Sequence, residues 1–326
     1  MYQETDQFDY PFDERLIAPV PLKQRTQSRL FVYHRETGER HHDRFGSIIN
    51  WFRPNDLLVV NNTRVFPARL QARKENMGPF AANGEREGCG AVELLLIRPA
   101  DHAGTASLCW EALVKGKFSD WLTLRGGGRA RLAEDMGQGR KKIFFELPAC
   151  DDLQTYLEKW GEVPVPPYIL RRRKVVLQGE DPLPTAEMLD PNDIDRYQTV
   201  YARQIGSIAA PTAGLHFSRR LMTAIKKQGT RMVTVTLHIG PDTFRPISAG
   251  RLAEHKMHGE RFEIPEKTVY AFAETRRLGG RIIAVGTSVM RALESASDGK
   301  NGVSKGSGET DLFITCLLYT SPSPRD

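Results

Sequence analysis

Apolar residues recur along the chain in two regimes. Strand-sized runs occupy residues 57–60 (LLVV), 92–97, 110–114 and 143–147, and 232–237 (MVTVTL) adds a β-branched strand. Residues 281–285 and 311–314 predict two further buried strands. Helical spacing marks 151–160, 218–228 and 266–278. Ser218 supplies an N-cap for the second of these, Gly229 ends it, and Gly279-Gly280 stops the third. Residues 43–50 read as a helix or turn, and Pro54-Asn55-Asp56 as the turn that launches the LLVV strand.

The spacing of these elements changes along the chain. From about 67 to 148, short strands alternate with Gly-rich turns at 78–90 and 126–128, which predicts a small β-barrel or sandwich. After 148 strands and helices alternate, as in a layered α/β domain. The expected class is therefore α/β: a main α/β domain built from 1–66 and 149–315, with a small β-barrel domain at 67–148. Residues 316–326 (CLLYTSPSPRD) break abruptly into Ser-Pro-Ser-Pro and read as a non-native, adapter-like tail, so the natural C-terminus is expected to be missing. Without the tail the net charge is the same, because Arg325 and Asp326 cancel.

A length of 326 residues accommodates about two domains. With 40% hydrophobic and 26% charged residues, wholesale disorder is excluded. No apolar run reaches the roughly 18–20 residues of a membrane helix, and residues 1–12 are acidic and aromatic, unlike a signal peptide. A cytoplasmic protein with no membrane partner is expected. Cys89, Cys109, Cys150 and Cys316 form no CxxC pair, so neither a metal site nor a disulfide framework is expected. Lys and Arg number 46 against 40 Asp and Glu, a net charge of +6; this mild excess does not by itself define a nucleic-acid binder.

Candidate chemistry gathers where strands should end, the edge at which open α/β sheets collect ligands. Residues 209–217 (AAPTAGLHF) carry Thr212 and His216 in a tight turn before a helix. Residues 236–246 (TLHIGPDTFRP) place His238 after a strand and Thr243 beyond a Gly-Pro bend, and 255–260 (HKMHGE) carry His258 and Glu260. The last pair suits acid–base work, since a His and a carboxylate can hold separated pKa values in one pocket. Gly286 and Thr287, in VGTSVMRALE, lie between a strand and a helix and can offer backbone N–H groups to an anion. Tyr168 precedes the basic run Arg171, Arg172, Arg173 and Lys174, and RYQTVYAR carries Tyr197 and Tyr201; aromatics beside cations can stack bases while neutralising phosphate. Arg140, Lys141 and Lys142 form a second basic cluster. Taken singly, each segment also reads as ordinary structure: a turn, a hairpin or a solvated face.

Eight segments in order resemble the S-adenosylmethionine:tRNA ribosyltransferase-isomerase family of queuosine biosynthesis, over nearly all of 8–314. They are residues 8–30 (FDYPFDERLIAPVPLKQRTQSRL), 56–70 (DLLVVNNTRVFPARL), VPPYI, YQTVYA, AAPTAGLHF, TLHIGPDTFRP, MHGE and AVGTSVMRALES. The resemblance implies transfer and isomerisation of the ribosyl group of S-adenosylmethionine onto 7-aminomethyl-7-deazaguanine at the tRNA wobble position. The products would be epoxyqueuosine in tRNA, adenine and methionine, with no cofactor because S-adenosylmethionine is a co-substrate, and with a monomeric enzyme. Within that resemblance, His216, His238, His258 and Glu260 are expected to line one pocket, Glu260 or His258 as base and His238 as proton donor. Tyr168, Tyr197 and Tyr201 would face the sulfonium or stack on a base, Gly286 and Thr287 would hold the methionine carboxylate or ribose, and Arg171, Arg172, Arg173 and Lys174 would contact phosphates. The sequence departs from the family pattern at Asp242, a usual glycine position, at VGTSVMR, and in lacking the family's terminal block after Thr315; if that block completes the pocket, the chain is inactive. Two competing readings are a non-catalytic RNA-binding protein and a methyltransferase. The chain lacks the Gly-rich loop after a first strand that methyltransferases commonly carry.

Overall fold

The computed structural model describes residues 4–75, 90–100, 107–137, 139–148, 152–178, 192–244, 247, 249–299 and 302–314. The chain divides into two compact units, 1–64 with 165–326, and 65–164. Cys89, Cys150, Cys316, all but Gly90 of the Gly-rich segment expected at 78–90, and the adapter-like tail lie outside the described residues.

The larger unit begins with a hairpin, β1 (Arg29–Tyr33) and β2 (Arg40–Arg44), followed by a 3-10 helix at Phe45–Trp51. The helix or turn expected at 43–50 therefore starts two residues late, because Asp43 and Arg44 still pair with β1. Asn55 turns the chain with φ +71° into β3 (Leu57–Asn61), which continues through β4 (Thr63–Val65).

The smaller unit is a closed antiparallel barrel of β5 (Arg69–Lys74), β6 (Ala91–Pro99), β7 (Cys109–Lys115), β8 (Leu122–Leu124), β9 (Arg129–Gly137) and β10 (Arg140–Glu146), in the order β10-β7-β6-β5-β8-β9. Alternate residues point inward: Leu70 and Ala72, Val92, Leu94 and Leu96, Ile143 and Phe145 are all buried. The helix α1 (Leu153–Trp160), capped by Asp152 through the Thr155 amide, belongs to this unit and not to the α/β part where the sequence reading put residues 149–164. The reason is packing: the Tyr156 hydroxyl donates to the Arg125 carbonyl, and Gly128 leaves no room for a Cβ beside that ring.

The chain returns to the larger unit with α2 (Pro167–Leu177), α3 (Asp193–Arg196) and β11 (Gln204–Ser207), then a 3-10 helix at Thr212–His216. There follow α4 (Arg219–Lys227), β12 (Arg231–Leu237), β13 (Glu260–Ile264), α5 (Glu266–Arg277), β14 (Ile282–Ala284), α6 (Thr287–Ser295) and β15 (Gly306–Thr310). Ser218 caps α4 through the Leu221 amide, as its sequence suggests. The strand expected at 311–314 is displaced: the paired segment is Gly306–Thr310, antiparallel to β13, although its outward residues are polar and exposed.

The main sheet has the order β14-β3-β12-β13-β15, with β14, β3 and β12 parallel. β3, flanked by β14 and β12, carries the unbroken LLVV run because helices cover both faces of the sheet there. Leu57 and Val59 pack with Phe272 of α5 and Val289 of α6 on one face. Leu58 and Val60 pack with Phe45 and with Leu221 and Ile225 of α4 on the other. At the opposite end of β3, the buried Asp56 accepts from the Arg53 and Arg281 amides and pairs with the Arg281 guanidinium at 2.6 Å, which fixes β14 beside β3. The expectation of a layered α/β domain with a small barrel agrees with this architecture.

Candidate active site

The carboxyl ends of β3, β12 and β14 lie on one edge of the sheet, and polar side chains are anchored there. Asn61 is fully buried. Its amide donates to the Leu237 carbonyl at 2.9 Å and to the Ser288 hydroxyl at 3.2 Å, while its oxygen accepts from the Leu237 and Thr63 amides. One side chain thus ties β3 to β12 and to the first turn of α6. The Asn62 side chain accepts from the Thr236 hydroxyl, and its carbonyl accepts from the Arg203 and Gln204 amides.

This scaffold presents His238. Its Nδ1 lies 2.8 Å from the Thr63 hydroxyl, and its amide donates to the Arg261 carbonyl. The ring packs on Gly206, where φ is +149° and a Cβ would come within 2.8 Å of the imidazole. Burial first, and Arg261 second, pushes the imidazole below its ordinary pKa. His238 is therefore neutral at pH 7, with one ring nitrogen able to take a proton. The turn beyond it is held from two sides, since the Ile239 amide donates to Ser207 and the Gly240 amide to Glu260.

Glu260 is 7% exposed, and both of its oxygens are engaged. Oε1 accepts from the Gly240 amide at 2.8 Å, and Oε2 pairs with the guanidinium of Arg291, itself 8% exposed on α6. Arg291 also donates to the Leu312 carbonyl at 2.9 Å and the Thr310 carbonyl at 3.2 Å. A buried carboxylate beside a guanidinium is stabilised as the anion and is a poor base. The role of base expected for Glu260 is thus at odds with its environment. His258, the alternative, is exposed on the segment before β13.

The 3-10 helix bearing His216 meets the same edge at Ala213, whose methyl group a Cβ added to Gly286 (φ +84°) would approach to 3.2 Å. His216 is half-buried against the Phe45 ring at 5.1 Å, and burial with the nearby Arg25 lowers its pKa. Arg25 donates to the Leu215 carbonyl at 3.0 Å. Tyr201 presses its hydroxyl on Gly214; among the described residues the Thr199 and Tyr201 hydroxyls are buried without a hydrogen-bond partner, while the Tyr197 hydroxyl meets the Ala210 backbone amide. Burial raises both tyrosine pKa values, so these phenols stay protonated across the physiological range. Tyr168 is exposed in the first turn of α2, close enough to Tyr197 to act on it electrostatically. Thr212, Thr243 and Thr287 are exposed; the side chain of Asp242 lies outside the described residues.

The basic run does not form one phosphate-facing patch. On a helix its four residues point in different directions. Arg172 is buried, and Arg173 forms a bidentate pair with Asp193 at 2.7 and 3.0 Å and donates to the Pro19 carbonyl. Only Arg171 and Lys174 of the four are exposed. In the barrel, Lys141 pairs with Asp135 and Lys142 with Glu134 across β9, so that cluster is largely neutralised. Among the described residues no group of three or more His, Cys, Asp or Glu could hold a metal ion, and no helix is long and apolar enough to cross a membrane.

Asn61, Thr63, Gly206 and Arg291 belong to this site, yet the sequence reading gave none of them a role. For Asn61 and Thr63 the signal was a pair of asparagines directly after a fully apolar strand, since buried polar residues need partners; Gly206 and Arg291 carried no such mark. The fold and its anchored strand-end polar groups define an α/β enzyme carrying an inserted β-barrel. The family described as queuosine biosynthesis protein matches residues 5–321. An S-adenosylmethionine:tRNA ribosyltransferase-isomerase of Trichlorobacter lovleyi is 37% identical over 312 residues, covering 94% of this chain and 81% of that protein. The protein of the same description from Halothermothrix orenii is 39% identical over 316 residues, covering 95% and 82%. A solved S-adenosylmethionine tRNA ribosyltransferase from Thermotoga maritima is 27% identical, covers 95% of this chain and 79% of that one, and superposes with a TM-score of 0.42. The chain belongs to the queuosine-biosynthesis family of ribosyltransferase-isomerases and is an enzyme of that transferase class.

Proposed function

We propose that the chain transfers and isomerises the ribosyl group of S-adenosylmethionine onto 7-aminomethyl-7-deazaguanine in the tRNA wobble position. Epoxyqueuosine-tRNA, adenine and methionine are the products. S-adenosylmethionine is consumed as a co-substrate, and no further cofactor takes part. The observation that carries the reading is a neutral, half-buried His238, oriented by Thr63 and Gly206 at the carboxyl ends of parallel strands, in a chain of this family.

The positive sulfur acidifies the adjacent ribose C5′ hydrogens. His238 removes one, and the released electron pair starts the sugar rearrangement that expels adenine. The proton that His238 has taken up passes to the departing adenine, which returns the imidazole to its neutral form. The amine of the precursor base then attacks the sugar, and loss of methionine closes the epoxide. Glu260 and Arg291 hold the Gly240 turn in place rather than exchanging protons. The N-terminus of α6 at Gly286 and Thr287 receives the methionine carboxylate, and a tyrosine face suits the desolvated sulfonium.

Chromatographic measurement of adenine and methionine released from S-adenosylmethionine with precursor-bearing tRNA tests this. His238→Ala should lower turnover by about 10²–10⁴-fold while leaving S-adenosylmethionine affinity within a few-fold. Formation of S-adenosylhomocysteine in place of adenine would show a methyl transfer and refute the proposal.

A further inference from the structure

The β1–β2 hairpin has no part in the chemistry above, yet its outer face is built in an unusual way. In the antiparallel register Arg29 faces Arg44, Phe31 faces His42 and Tyr33 faces Arg40, so these six side chains share one face. All six are exposed, Phe31 by 55% and Tyr33 by 52%, whereas Leu30 and Val32 on the other face are partly buried. Phe31 and His42 already contact each other, with ring centroids 5.1 Å apart. Large aromatics at this exposure mark a contact surface, and among the described residues no other side chain covers them.

The charge on the face is one-sided. Arg44 donates one N–H to the Gln27 carbonyl, and no carboxylate pairs with Arg29, Arg40 or Arg44 among the described residues. The carboxylates nearby are turned to other uses: Asp43 opposes Leu30 and accepts the Arg44 amide, and Glu39 lies 3.9 Å from His41. Rings spaced along a strand pair and bracketed by guanidinium groups match the two needs of an unpaired nucleic-acid strand, a π-face for each base and a cation for each phosphate. A second copy of this chain would bring the same cations against these, which disfavours self-association through this face.

We propose that this outer hairpin face is a stacking platform for unpaired nucleotides of the RNA substrate, which the helical basic run does not provide. The proposal rests on the reading of the chain as a tRNA-modifying enzyme. The test uses the full chain and a fluorescein-labelled tRNA anticodon stem–loop transcript, with affinity read by anisotropy over a range of salt. Phe31→Ala/Tyr33→Ala should weaken binding about ten-fold or more with little change in salt slope. Arg29→Ala/Arg40→Ala should flatten the slope of log affinity against log salt by about 1.4, or roughly 0.7 per lost phosphate contact. S-adenosylmethionine affinity should stay at the parent value in both. Parental RNA affinity in both variants, or a change in molecular mass in place of RNA affinity, overturns the platform. If the parent binds the stem–loop but yields no adenine with precursor-bearing tRNA, the enzymatic reading fails while the affinity comparison still decides the platform. A parent that binds no RNA refutes both.

Discussion

Arg291→Met removes the countercharge from a buried carboxylate. The guanidinium makes three contacts, to Glu260, the Leu312 carbonyl and the Thr310 carbonyl, and both charged partners are under one-tenth exposed. The variant leaves Glu260 ionised and buried beside the Gly240 amide, and breaking such a pair from one side costs about 3–5 kcal/mol. Against a typical total of about 5–15 kcal/mol, that is a large share. Replacing both residues, as in Glu260→Leu/Arg291→Met, removes the stranded charge along with its partner, so the double variant should lie within about 2 kcal/mol of the parent. Urea unfolding followed by far-UV circular dichroism measures the difference. Hydrogen exchange over Glu260–Ile264 and Gly306–Thr310 shows whether the loss falls in the larger unit, which matters because a chain of two units need not unfold in one step. A cost below about 1 kcal/mol for Arg291→Met with exchange unchanged, or a double variant as costly as the two singles added, would refute the assignment of this pair as the brace of the turn.

Three further outcomes follow from the same geometry. Gly206→Ala places a methyl group within 2.8 Å of the His238 ring at a positive φ, so adenine release should fall at least ten-fold while circular dichroism stays native; unchanged release would mean that His238 is not held by this contact. Because burial lowers the pKa of His238, the acid limb of kcat/KM should lie below the ordinary imidazole value of about 6.5, and in stability terms the unfolded chain takes up this proton first, so the neutral buried ring becomes a growing liability as pH falls from about 6.5 to the folded value. An acid limb above 6.5 contradicts this. At Asp56, burial alone would raise the pKa, but the Arg281 guanidinium and the Arg53 and Arg281 amides outweigh it and hold the carboxyl low; its contribution is present above about pH 4 and is lost as pH falls through the folded value. Asp56→Asn should therefore cost about 1.5–3 kcal/mol at pH 7 in urea unfolding and narrow its gap from the parent in acid, and an undiminished gap there counts against the role assigned to Asp56.

Local signals carried much of the architecture. The LLVV run reported a strand covered on both faces, Ser218 and Gly229 bounded α4, and Gly-rich punctuation marked the barrel. Elements whose stability comes from partners were harder to see. β15 has the unpromising sequence GSGET and forms a strand because β13 offers it an edge, whereas the more apolar 311–314 pairs with no strand among the described residues. α2 was hidden behind PVPP, although Pro167 is well placed in a first helical turn. In the site, strand-end histidines were legible because Gly and Pro flank them. The Glu260–Arg291 brace was not, since its members lie 31 residues apart on elements whose juxtaposition only the sheet order reveals.

The position of β3 at the middle of the parallel strands has a consequence for biosynthesis. Leu57 pairs with Arg231, 174 residues later, and with Ile282 later still. At roughly 5–20 residues per second the ribosome needs about 10–35 s to bridge that gap. During this interval four consecutive apolar residues have neither strand partner, while the barrel at 65–164 contains all its own pairings and can close first. Ribosome-stalled chains ending before residue 231 should accordingly show a protease-resistant barrel and a cleavable segment around 57–61; protection of that segment in such chains would mean that something other than its final neighbours shelters it.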